Sequence, residues 1–121
     1  MDRFFFVAGS LFAFFAVALG AFAAHGLRTR LAPDMLAVFE TGVRYHMYHA
    51  LALLGVGLAI SQWPESKVQM AGWAFIFGIV VFSGSLYLLS ITGVRWLGAI
   101  TPIGGVGFLI GWILLVWAVW R

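Results

Sequence analysis

Four stretches of apolar sequence, at about residues 4–24, 43–62, 68–91 and 102–120, take up most of this 121-residue chain. A helix of about 20 apolar residues crosses a hydrocarbon layer roughly 30 Å thick. Four crossings therefore account for nearly all of the chain and leave little for a soluble domain. The expected fold is all-α: a polytopic membrane protein built as a four-helix transmembrane bundle, one domain over residues 1–121, with an amphipathic lead-in at about 35–43.

Composition supports this class and removes several others. Apolar residues make up 64% of the chain and charged residues 9%, too few charges for an ordinary soluble domain. Cysteine is absent, so disulfides, thiolate metal sites and thiol catalysis are excluded. The formal charge of +3 comes from scattered cations (Arg3, Arg28, Arg30, Arg44, Lys67, Arg95 and Arg121) against four acids. They form no run or stripe, and no nucleic-acid partner is expected. The opening Met1-Asp2-Arg3 and its apolar run resemble a secretory signal. The run is longer than the roughly 7–15 residues of a signal core, and more spans follow, so it reads as a first transmembrane helix.

Local signals divide the chain. The first helix has small residues Ala16, Gly20 and Ala24 at four-residue spacing, with Gly9 and Ala13 before them, a stripe that lets another helix approach. After His25 the chain turns polar; Pro33-Asp34 is a helix-start signal, and a second helix is expected from about Met35 to Gln62. Gly42 is where a kink is expected in it. Trp63-Pro64-Glu65-Ser66-Lys67 is a breaker-rich connection. The third helix carries Ser83-Gly84-Ser85, suited to helix contacts or bonds to carbonyls, and ends at Gly93, a candidate left-handed cap. Arg95-Trp96 is an interfacial anchor pair. Thr101-Pro102 reads as an N-cap followed by proline at the first helical position. The fourth helix has Gly107 and Gly111 in a GxxxG pattern and ends in Trp117, Trp120 and Arg121. Gly20, Gly107 and Gly111 are the expected helix-packing residues.

With four spans, Arg3, Lys67 and Arg121 lie on one side and Arg28, Arg30, Arg44 and Arg95 on the other. The positive-inside rule leans, by one residue, towards cytoplasmic first and third connections. Counting back about 20 residues from Trp63 puts the opposite membrane boundary near Val43 or Arg44. His46 and His49 then lie just inside the membrane, on the side of His25, Arg28, Arg95 and Thr101. The candidate polar site gathered there comprises His25, Glu40, Arg44, Tyr45, His46, His49, Arg95 and Thr101.

Several chemistries use residues of these types. His46 and His49 are three apart and share a helix face, with His25 close by, which suits a metal or haem ligand set. No HExxH or ExxH pattern and no cysteine reinforces that, and interfacial Tyr and His with apolar bodies and polar tips explain the same residues more simply. Neither a metal nor another cofactor is expected. Glu40 and Arg44 are spaced for a helical ion pair, and ionisable groups at membrane depth also suit an ion or proton path. No second acid lies in any other span, and no nucleophile–His–acid set exists, so no catalytic residues are expected. Gly104, Gly105 and Gly107 lie in a membrane helix rather than after a strand, which points to close packing and not to a phosphate loop. Pro102-Ile103-Gly104 could instead gate a substrate, as broken membrane helices do.

Longer strings carry a resemblance. They are Gly20-Ala21-Phe22-Ala23-Ala24-His25-Gly26-Leu27, the run Phe39 to Ala52, Phe82-Ser83-Gly84-Ser85-Leu86-Tyr87, and Arg95 to Gly105. With these the chain resembles the DUF423 family of small bacterial inner-membrane proteins, related to the transmembrane protein 256 family. The resemblance implies a small four-helix membrane protein of the bacterial inner (cytoplasmic) membrane, and it carries over no activity and no site residue. The expectation is a non-enzymatic membrane protein, an accessory or scaffold subunit or a contributor to membrane integrity. Its partners are the lipid bilayer and either further copies of itself or another membrane protein. The alternative is a small oligomeric transporter or channel using Glu40, Arg44, His46 and His49, with a lipid, quinone or metal site at the same face as a third.

Overall fold

The structure is a computed structural model describing residues 2–64 and 66–120. Met1, Glu65 and Arg121, the last part of the expected C-terminal belt, lie outside the described residues. The chain forms an all-α membrane helical bundle, with no strand among the described residues. Helix α1 (Asp2–Phe22) continues into a π-helical turn at Ala23–Leu27. Helix α2 spans Pro33–Gln62. Helix α3 (Ser66–Gly78), a second π turn (Ile79–Ser83) and α4 (Gly84–Thr92) make one continuous stretch. A 3₁₀ turn at Arg95–Ala99 leads into α5 (Thr101–Val119).

Among the described residues, three stretches are long and apolar enough to cross a membrane: Asp2–Leu27, Ser66–Thr92 and Arg95–Val119. The longest helix, α2, is not among them, because its first half is polar. It is nonetheless central. Helix α1 packs along α2, α5 packs along α3, and α2 also packs on α3, the second π turn and α4.

The two outer seams are made differently. Phe5 of α1 packs in one core cluster with Leu53 and Val56 of α2, and Gly9 lies against Ala50 and Leu53. A Cβ on Gly9 would stand 2.8 Å from the Ala50 carbonyl oxygen, and one on Gly57 2.9 Å from that of Asp2. The two backbones thus touch, antiparallel. On the other side α5 offers glycines as sockets for rings: a Cβ on Gly107 would meet Phe77 at 2.7 Å and one on Gly111 would meet Phe75 at 2.5 Å. Gly104 lies directly on the Phe82 backbone, and Phe108 fills the space beside Gly78. Gly20 is looser, with only a Val43 methyl within reach, 3.3 Å from its would-be Cβ.

Local signals fare unevenly. Gly93 adopts φ 73°, and its N–H bonds to the Leu89 carbonyl at 2.8 Å, closing α4 as a left-handed cap. Pro33 opens α2. Helix α2 is continuous through Gly42, whose missing side chain makes room for the Tyr87 ring, 2.9 Å from a would-be Cβ. Thr101 is not the N-cap of α5. It is the first helical residue after Ile100, and its hydroxyl turns back into the bundle. Neither π turn has a local sequence signal.

Candidate functional site

The polar residues separate into two levels. His25, Glu40, Arg44 and Arg95 are exposed. His25 sits in the first π turn and Arg95 opens the 3₁₀ turn. The Arg44 guanidinium donates to Thr41 Oγ1 at 3.0 Å rather than pairing with Glu40, and Thr41 in turn donates to the Ala37 carbonyl. The side chain thereby reaches back towards the start of α2, as long cations do when their stem is held in an apolar layer.

His46 and His49 are buried between the helices. His49 stacks on Phe108 with ring centroids 3.6 Å apart and planes 9° from parallel, level with the middle of α5. Gly57 of α2 already meets Asp2 and Phe6 at the start of α1, so the Trp63 end of α2 projects beyond α1.

The two rings also diverge. His49 Nδ1 lies 2.8 Å from the Tyr45 carbonyl, and the Trp112 indole N–H donates to His49 Nε2 at 3.0 Å. A carbonyl only accepts and an indole N–H only donates, so these partners assign one neutral tautomer, with its proton on Nδ1. The ring is further enclosed by Phe75, 5.4 Å away between centroids. His46 turns the other way, its Nδ1 2.8 Å from the Tyr87 hydroxyl and its ring edge-on to Phe12 of α1 (5.8 Å, 76°). Its Nε2 is buried and makes no well-formed hydrogen bond, although the Phe12 backbone of α1 lies close enough to interact with the ring.

Hydroxyls tie the remaining helices together. Ser83 Oγ, fully buried at the end of the second π turn, donates to the Gly42 carbonyl at 2.7 Å. Ser85 Oγ and Thr101 Oγ1 share a hydrogen bond at 2.5 Å, joining α4 to α5. Ser90 bonds within its own helix to the Tyr87 carbonyl. Tyr45 is half exposed and stands among the rings of Tyr48, Phe82 and His49. Among the described residues no group of three His, Asp or Glu side chains converges as a metal site would require. Sequence reasoning did not single out Tyr87 or Trp112 for the site. The signal for Tyr87 was available: a tyrosine inside a long apolar run has a hydroxyl that needs a partner.

Such a bundle, with its apolar side chains turned outward and its polar ones bonded between helices, is an integral membrane protein. The chain belongs to the DUF423 family, whose model, described as a protein of unknown function, matches residues 19–105. Relatives agree. The chain is 52% identical over 113 residues to UPF0382 membrane protein YwdK of Bacillus subtilis, covering 93% of this chain and 92% of that one. It is 54% identical over 112 residues to a UPF0382 membrane protein of Staphylococcus epidermidis, covering 93% and 91% respectively. A third, from Staphylococcus saprophyticus, is 51% identical over 112 residues, covering 93% and 92%. No solved structure matches the chain.

Proposed function

We propose that the protein is a non-enzymatic integral protein of the bacterial cytoplasmic membrane, crossing it four times and serving as an accessory or scaffold subunit or supporting membrane integrity. The observation that carries this reading is the use made of the interior polar groups. His49, Ser83, Ser85 and Thr101 are engaged in bonds that hold one helix to another. Catalysis needs such groups facing an accessible cavity. The grooves along α5, one bounded by Ala74, Phe77, Ile103 and Ile110 and another by Ile113, Val116 and Trp120, are apolar instead, suited to acyl chains or to another helix. The test is isolation from membranes in mild detergent with mass spectrometry of every protein retained. A stoichiometric membrane-protein partner is expected for an accessory subunit, whereas saturable solute movement by the purified protein in liposomes would sink the reading.

His46 favours a second reading, a small oligomeric transporter or channel with Glu40, Arg44, His46 and His49 on its path. A buried imidazole nitrogen without a well-formed hydrogen bond is costly and is what a proton-carrying step would use. Under this reading His46→Phe abolishes flux in liposomes while the protein stays monodisperse. Unchanged flux removes His46 from any path.

A further inference from the structure

The outward surface of α2 differs in kind from those of its neighbours. Helix α1 turns Phe6, Leu11, Phe14 and Val17 outward, and α5 turns Val106, Leu109, Ile113 and Trp117 outward. Hydrocarbon accepts all of these. Helix α2 exposes Glu40, Arg44, Tyr48, Leu51, Gly55 and Leu58. From Arg44 onward these positions step by four, three, four and three residues, the seam spacing of two helices in a left-handed coil.

Helix register puts the charged half of this stripe at membrane depth. Val43 lies beside Gly20 in the apolar run of α1, and the Gly42 carbonyl accepts from Ser83, well inside the third apolar stretch. Charged groups at such depth face protein or water rather than lipid.

Gly55 supplies an independent observation. Glycine weakens a helix interior, and at Gly9, Gly57, Gly72 and Gly104 a close neighbour accounts for it. At Gly55 a Cβ would meet nothing within 4 Å. Gly84 is equally open but directly follows the second π turn. Gly55 lies in mid-helix on the exposed stripe, where an absent side chain matters only to something arriving from outside.

The charges identify the visitor. The Glu40 carboxylate has no partner among the described residues, and Arg44 gives one N–H to Thr41. A guanidinium has five N–H donors and can keep Thr41 while binding a carboxylate. One acid and one base, a turn apart on one face, make a stripe complementary to itself.

We propose that this stripe is the interface of a two-fold homodimer, with α2 parallel to its counterpart and the axis along the membrane normal. Arg44 of each copy binds Glu40 of the partner subunit, and Gly55 lets the apolar halves of the two helices close together. A two-fold contact needs only one surface used twice. The proposal holds whether the bundle acts as a scaffold or as a transporter.

The chain's lack of cysteine makes the test direct. Leu51→Cys, Gly55→Cys and Leu58→Cys are compared in native membranes with Leu11→Cys on α1 and Leu109→Cys on α5, under a membrane-permeant oxidant. A two-fold seam brings identical positions together, so the α2 positions give disulfide-linked dimers and the other two stay monomeric. In the Gly55→Cys background, Glu40→Arg or Arg44→Glu alone cuts the cross-link several-fold, and the two together restore it. Equal cross-linking at all five positions, none on α2, a preference for α1 or α5, a link to a different protein, or indifference to charge reversal would each overturn the proposal. If a charge-reversed chain does not accumulate, the cysteine series decides alone.

Discussion

The two sides of α2 treat one kind of side chain in opposite ways. Towards α5, His49 has both nitrogens bonded and its ring stacked on Phe108, so a single tautomer is held between two helices. Towards α1, His46 is tied at one nitrogen to Tyr87 and leaves the other buried without a well-formed hydrogen bond. The helix seams follow the same division. Helix α5 meets α3 through rings seated on glycines, while α1 meets α2 through bare backbone. Where aromatic side chains surround a polar group they can supply its hydrogen bonds. Helical carbonyls can take a second donor, as those of Gly42 and Tyr45 do, but the α1 seam brings no side-chain donor or acceptor to His46 Nε2. Burial alone therefore does not say what a membrane histidine does; the chemistry of the facing helix does.

The largest effects should come from breaking either seam. Gly104→Leu drives a side chain into the Phe82 backbone, and Gly9→Leu drives one into the Ala50 carbonyl. Each is expected to cost at least the upper end of about 1–3 kcal/mol and to abolish the monodisperse peak in size-exclusion chromatography. A well-tolerated Gly9→Leu would show that the α1 seam can part where the α5 seam cannot. Next comes Trp112→Phe, which strips the donor from His49 Nε2 and should lower the thermal midpoint in detergent by the equivalent of about 1–2 kcal/mol. The same scan on His46→Phe should show a smaller loss than His49→Phe, because the substitution also removes the poorly bonded nitrogen. Tyr87→Phe combined with His46→Phe should cost less than the two single losses added together, the mark of a direct pair. The smallest effect is Ser83→Ala, which deletes one interhelical bond worth about 0.6 kcal/mol on average in membrane proteins; a loss several times larger would mean that the second π turn depends on it.

The class of fold was legible because hydropathy and length are local properties: the apolar runs at residues 4–24, 68–91 and 102–120 closely match helices of the bundle. Gly93 and Pro33 were legible for the same reason, since a left-handed cap and a first-turn proline are decided by the residue itself. The site was less so. The depth of His46 and His49 depends on how far α2 slides along α1, which no single helix encodes. Thr101-Pro102 carries the pattern of a cap, but a serine sixteen residues earlier claimed the hydroxyl. Trp112 looked like one more aromatic in an apolar helix until its indole N–H was seen against His49. Each of these outcomes is set by a partner distant in sequence.

The turn at Ile79–Ser83 bears on how much change in length the third stretch tolerates. An i→i+5 turn takes up one residue more than the helix around it requires, so it acts as a slack link. Shortening the chain by one residue there would tighten the turn into ordinary α-helix while leaving α3 and α4 facing the same neighbours. The same deletion in α5, where Gly104, Gly107 and Gly111 are each matched to a particular ring or backbone atom, would rotate every later contact out of place. Deletion of one residue should accordingly be far better tolerated at this turn than in α5.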